Sequence, residues 1–143
     1  VRVIGVDPGP TTGIVLLRYP GRPSCYQCHG IDAPGLVSWL IDSQAAWPRI
    51  LLAIEAFQAG RGPGARTSDG ALTRAVIDSL LPLGDWKARS AGVVKPWSTD
   101  ERLDKANLLC PGMRHAQDAA RIALYEAVKS GQMPDPLSRN PGL

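Results

Sequence analysis

Val3-Ile4-Gly5-Val6-Asp7-Pro8-Gly9-Pro10-Thr11-Thr12-Gly13-Ile14-Val15-Leu16-Leu17 consists of two apolar runs hinged on one acid and a cluster of glycine and proline. Each run is short, rich in β-branched residues and bounded by turn formers, which is the sequence form of a buried strand. Together they describe a hairpin with the Asp7 carboxylate at the end of its first strand. The residues before Asp7 are bound for the core, so its charge needs a partner. That partner is a cation or metal, or else the carboxylate folds back to cap the turn, as Asp often does.

Two further stretches bear on that choice. Ile50-Leu51-Leu52-Ala53-Ile54-Glu55-Ala56-Phe57 is another apolar run ending in a single acid. Near the C-terminus, Met113-Arg114-His115-Ala116-Gln117-Asp118-Ala119-Ala120-Arg121-Ile122-Ala123-Leu124 is alanine-rich and free of Gly and Pro, which predicts a helix. His115 and Asp118, three residues apart, share one face of it. The chain thus offers an acid after one strand, an acid after another, and a His/Asp pair on a late helix. Carboxylate oxygens and an imidazole are ligands that divalent ions accept.

At 143 residues the chain is long enough for one domain with a real core. No unbroken apolar run is long enough to span a bilayer, and no leader of the secretory type is visible. These features, with three cysteines suited to a reducing compartment, predict a cytoplasmic protein. The net charge of +3 is modest, but twelve of the sixteen basic residues are Arg, whose planar fork suits phosphate. Cys25-Tyr26-Gln27-Cys28-His29 has the spacing of a haem-attachment or zinc motif. A strand here would send the two thiols to opposite faces, and only Cys110 remains as a further cysteine. The expected reading is therefore two buried strand thiols.

Patterning predicts strands near residues 2–7, 12–18 and 24–31, a helix from Pro34 to about Ala46, and a fourth strand from Arg49 to Ala56. A glycine-rich loop over residues 58–70 carries Arg61 and Arg66. A helix over Ala71–Leu81, a fifth strand within Trp86–Val94, a short helix over Thr99–Leu109 and a last helix from Met113 to Ser130, stopped by Gly131, complete the order. Residues 1–131 read as the folded domain and 132–143 as a proline-rich, extended or frayed tail. The order predicts an α/β fold, a five-stranded mixed sheet with an antiparallel three-strand meander followed by parallel strands, flanked by helices.

These residues in this order resemble the ribonuclease H-like superfamily, and within it the RuvC-like Holliday junction resolvases, phage-encoded members in particular. The likeness runs from about Val3 to Ser130. It rests on Gly5-Val6-Asp7-Pro8-Gly9, the strand-end Glu55, Val94-Lys95-Pro96-Trp97 and His115-Ala116-Gln117-Asp118-Ala119. The resemblance implies a metal-dependent endonuclease that makes paired cuts in four-way and other branched DNA, leaving 5′-phosphate and 3′-hydroxyl ends. Asp7, Glu55, His115 and Asp118 would be the catalytic and metal-binding residues for two Mg²⁺ or Mn²⁺ ions. His115 stands where many members have an acid, so it would complete the metal shell or accept a proton from water. Phe57, one residue short of the family's usual spacing, would contact a junction base, and Arg61, Arg66, Lys95 and Arg114 would contact DNA phosphates. Each of these also has a plainer reading as a solvated loop, strand-end or helix-face residue. The near two-fold symmetry of a junction implies a homodimer, with the Ala71–Leu81 helix at its interface.

Two rival classes remain open at this stage: a ribonuclease H-like enzyme that processes structured RNA, and a non-catalytic module that binds branched nucleic acid. Asp7-Pro8-Gly9-Pro10-Thr11-Thr12-Gly13 loosely fits a phosphate-binding motif of two-domain kinases. The chain has length for only one such domain, so no nucleotide cofactor is expected.

Overall fold

The computed structural model describes residues 1–44, 49–56 and 68–138, with backbone alone at Ser68 and Asp69. Both apolar runs of the opening stretch are strands, β1 (Arg2–Asp7) and β2 (Thr11–Arg18), paired antiparallel with Asp7 opposite Gly13. β3 (Ser24–His29) continues the meander, and helix α1 (Ala33–Ser43) follows with Pro34 in its first turn. β4 (Leu51–Glu55) returns parallel to β1, and β5 (Trp86–Arg89) adds parallel to β4 after helix α2 (Ser68–Leu80). The sheet order is β3-β2-β1-β4-β5. This is the expected mixed sheet.

Why β1 and β2 are apolar on both faces is visible in the packing. Val3, Val15 and Leu17 face helix α5 (Arg114–Lys129), whose Ala116, Ala119, Ala120, Ala123 and Ala127 lie against them. Ile4, Val6, Ile14 and Leu16 face the opposite way, onto α1 and α2 through Val37, Leu40, Val76 and Leu80. A strand buried on both faces reads as a continuous apolar run because neither face alternates with water. The alanines of α5 let its backbone come close to the sheet. The helix ends at Gly131, whose φ of +76° is open to glycine at little cost, with the Gly131 and Gln132 N–H groups returning to Val128 and Ala127 carbonyls.

Three expectations need correction. The segment after β5 is not strand: Ser90 caps a short helix α3 (Ala91–Trp97), accepting the Gly92 N–H, and Pro96 sits in its last turn. The strand expected within Trp86–Val94 thus occupies Trp86–Arg89 alone, and Val94 packs from α3 beside Ala53 and Ile122. Helix α4 (Asp100–Lys105), capped by Thr99, is also shorter than expected and is followed by Asn107 at φ 59°.

Residues 132–138 do not fray. Met133 is buried in the α5-side core, and Asp135 takes two hydrogen bonds from Arg102, at 3.0 and 3.2 Å. That contact holds the Asp135 carboxyl below its usual range.

The cysteines form the third correction. Cys25 and Cys28 do lie on opposite faces of β3, but Cys25 is bonded to Cys110, 85 residues away in sequence, with 6.4 Å between their Cα atoms. The bridge ties β3 to the connection between α4 and α5. Burial, then the charge of Asp32, pushes the remaining Cys28 thiol above its usual range. Unreduced folded protein should therefore take up iodoacetamide slowly and at Cys28 only, and at all three cysteines after reduction and unfolding. Peptide mass mapping that finds Cys25 or Cys110 alkylated without reductant would overturn the pairing. Among the described residues, no helix is long and apolar enough to cross a membrane.

Candidate active site

The parallel pairing of β1 with β4 decides where the two strand-end acids go. Val6 is level with Ile54, so Asp7 and Glu55 leave adjacent strands side by side at the same end of the sheet. Their carboxyl groups hydrogen-bond to each other. Burial pushes the Asp7 carboxyl above its ordinary value, and the nearby charge of Asp118 adds to this. Glu55 is pushed up to about 8, first by burial and then by the hydrogen bond to Asp7 and the charge of Asp7. Two carboxylates in contact cannot both ionise cheaply, so the pair holds one proton near neutral pH.

Helix α5 brings the other candidates. Its first turn lies on Gly13, the cross-strand partner of Asp7; a Cβ there would fall 1.9 Å from the His115 carbonyl oxygen. One helical turn further on, a Cβ at Gly5 would fall 2.4 Å from the Ala119 carbonyl oxygen. The two glycines therefore form a seat that lets helix backbone rest on strand backbone. So seated, His115 places Nδ1 3.3 Å from Asp7 Oδ2.

Asp118 faces Arg121, 3.5 Å away. Arg121 in turn is committed to the Ser98 carbonyl at 2.6 Å and to Asp100 at 2.5 Å, so it orders the α3–α4 junction and is not a free phosphate contact. The turn between β1 and β2 is held from behind by buried Thr12, whose hydroxyl donates to the Gly9 carbonyl at 2.9 Å. Asp7 is thus free for the site and does not serve as the cap of its own turn.

Of the other sequence candidates, Lys95 and Arg114 belong here. Lys95, exposed on α3, lowers the proton affinity of both Asp7 and Glu55, and Arg114 lowers that of Asp7. Lys95 sits on a helix and not at a strand end. Phe57, Arg61 and Arg66 lie outside the described residues. A cleft of about 380 Å³ opens beside Glu55, between α2 and the ends of β4 and β5, with Arg74 and Asp78 on its α2 wall.

One site residue escapes sequence reasoning entirely. The Gln27 side-chain oxygen, on β3, accepts the His115 N–H at 2.8 Å and the Ala116 N–H at 3.3 Å. Within a CxxCH pattern its neighbours draw the eye, and only the sheet register reveals its role.

Among the described residues, no three His, Cys, Asp or Glu side chains stand together as a set that could hold an ion. Asp7 touches Glu55 and His115, but these contacts do not converge on one point, and Asp118 is turned to Arg121. The donor chemistry nevertheless fits a hard divalent cation. Paired carboxyls that retain a proton against their usual acidity are a place where a cation can substitute for that proton.

No protein-family profile matches the sequence, and no curated protein does. Solved structures do match. A T. thermophilus RuvC in complex with a Holliday junction substrate superposes with a TM-score of 0.67, at 14% identity, over 92% of this chain and 96% of that one. A second Thermus thermophilus RuvC structure gives a TM-score of 0.55 at 16% identity, over 92% of this chain and 97% of that one. The chain therefore has the ribonuclease H-like fold of RuvC along nearly its whole length. At such identity the likeness is one of fold.

Proposed function

We propose that this protein is a metal-dependent, structure-selective endonuclease that resolves four-way DNA junctions, and acts on other branched DNA, by paired phosphodiester hydrolysis that leaves 5′-phosphate and 3′-hydroxyl ends. The observation that carries the reading is the meeting of Asp7, Glu55 and His115 at one end of a RuvC-type sheet, with Asp118 beside them on α5. Asp7, Glu55, Asp118 and His115 would hold two Mg²⁺ or Mn²⁺ ions. When bound, such ions lower the pKa of an attacking water and stabilise the departing 3′ oxygen.

The chain's own residues supply the rest. Asp7 and Glu55, side by side at the strand ends, and Asp118, 3.5 Å from Arg121 on α5, would supply the carboxylate ligands. His115, fixed over Asp7, would complete the metal shell or accept a proton from the attacking water. Lys95 and Arg114, whose charges act on Asp7, would hold phosphates of the bound strand. A homodimer meeting through α2, where Leu72 is exposed, would present two such sites to a two-fold junction.

The test is a labelled synthetic four-way junction incubated with the protein in Mg²⁺ and separately in Mn²⁺, beside a linear duplex and an Asp7→Asn variant. Paired nicks in the junction alone, absent with the variant, are the expected result. Binding without cleavage in either metal would move the protein to the class of non-catalytic junction binders. Inactivity on DNA with cleavage of structured RNA would assign it to RNA processing.

Phosphate contacts have a separate signature. Lys95→Ala and Arg114→Ala are each expected to weaken junction binding and to reduce the slope of log affinity against log salt by about 1, since each phosphate contact releases about 0.9 counterion on B-DNA. Binding titrations in EDTA at several salt concentrations measure this. A slope equal to that of the unmodified protein would remove the residue from the interface.

A further inference from the structure

Asp7, Gly13 and Gln27 form one lateral row across β1, β2 and β3, because Asp7 is level with Gly13 and Gly13 is level with Gln27. Residues level on neighbouring strands point to the same face of a sheet. This face carries α5, and the first turn of α5 lies directly over the row. Each of the three meets the helix differently. Asp7 reaches the His115 ring at Nδ1, Gly13 leaves the gap into which the His115 carbonyl fits, and Gln27 accepts the His115 and Ala116 backbone N–H groups.

The first N–H groups of a helix lack partners within the helix, and a side chain at the N-cap ordinarily satisfies one of them. Here the N-cap residue is Met113, which supplies no such bond. The acceptor comes instead from a strand 88 residues away in sequence. A local cap stabilises a helix end without fixing its position on the sheet. A cap borne by the sheet does both, since the two hydrogen bonds register the first turn against the strands.

We propose that Gln27 is a positioning residue, which fixes the first turn of α5 and through it holds the His115 imidazole over Asp7. The inference deepens the nuclease reading and rests on it for the effects on cleavage and on Mn²⁺ affinity, while the effect on amide exchange stands without it. Groups that orient ligands from behind typically change metal affinity or activity by about 10- to 100-fold when removed. Gln27 is exposed and so adds little to the core, which separates positioning from stability.

The test uses the full chain with two substitutions. Gln27→Met has similar length and no acceptor; Gln27→Glu keeps an acceptor oxygen, and its charge suits a helix N-terminus. Amide exchange at His115 and Ala116, Mn²⁺ affinity by calorimetry, kcat and KM on a four-way junction, and thermal melting are measured for each. For Gln27→Met we expect exchange at both amides to rise by about tenfold, Mn²⁺ affinity and kcat to fall by about tenfold, and KM and Tm to stay near the original values. Gln27→Glu should restore the exchange protection and most of the Mn²⁺ affinity. Unchanged Mn²⁺ affinity in Gln27→Met would overturn the proposal, as would a loss that tracks Tm and is not rescued by Glu. If the unmodified protein cuts no junction, the nuclease reading fails, while amide exchange at His115 and Ala116 still decides the role of Gln27.

Discussion

Glu55→Gln is expected to abolish junction cleavage and, without divalent cation, to raise the melting temperature at pH 8. The glutamine keeps the shape and a hydrogen bond to Asp7 but removes one of two crowded negative charges. In the native chain Glu55 is held up to about 8, by burial first and by Asp7 second, whereas in the unfolded chain it titrates near its ordinary value of 4.5. Between those values the folded state binds more protons than the unfolded one, so stability falls as pH rises through that window.

The contribution of the pair is thus fully present below about pH 4.5 and lost by about pH 8. With the carboxyl partly exposed, the discounted cost near pH 8 is about 1–3 kcal/mol, which corresponds to a Tm difference of about 4–12 °C. Mg²⁺ or Mn²⁺ should raise Tm more at pH 8 than at pH 6 in the native protein, and much less in Glu55→Gln. Scanning calorimetry at both pH values, with EDTA and with metal, reads all four conditions. A Glu55→Gln protein that melts below the parent at pH 8 in EDTA would show that the carboxyl pair is not strained, and the case for a cation site there would go with it.

The second large effect is expected from a single methyl group. Gly13→Ala would place a Cβ 1.9 Å from the His115 carbonyl oxygen, and backbone cannot swing aside as a flexible side chain can. The first turn of α5 must lift from the sheet, separating His115 from Asp7. Forced overpacking of this kind costs about 1–3 kcal/mol, occasionally more. Cleavage should fall by more than about 100-fold, since a displacement of about 1 Å at a reacting centre alone costs that much. Gly35→Ala is the control: no atom lies within 4 Å of its added Cβ, and α1 should gain about 0.5–1 kcal/mol from it. Denaturant melts together with junction cleavage distinguish lost fold from lost alignment. A Gly13→Ala protein with parental activity would mean that α5 is not seated as described.

Gly13 also shows where sequence reading stops. In the opening stretch it is a glycine between Thr12 and Ile14 at the start of an apolar run, and nothing local separates it from a turn residue. Its role arises only when a helix from residues 114–129 crosses β2 at that point. Gln27 is similar, since its partner lies 88 residues away.

By itself the sequence determined what depends on neighbouring residues. Short, unbroken apolar runs place β1, β2 and β4, turn residues bound them, and alanine content with Gly131 sets the last helix and its end. The positions of Asp7 and Glu55 at strand ends, and of His115 and Asp118 on one helix face, follow from that local periodicity. The tertiary structure alone decided who meets whom. It made β1 and β4 neighbours, so that Glu55 lies beside Asp7 and burial pushes its carboxyl up. It also turned Asp118 to Arg121, joined Cys25 to Cys110, and set α5 on the two glycines with Gln27 as its cap. The physical reason is that periodicity records which faces of each element shun water. Strand order and helix crossing are settled by packing between segments far apart in the chain, and a face pattern is compatible with many such arrangements.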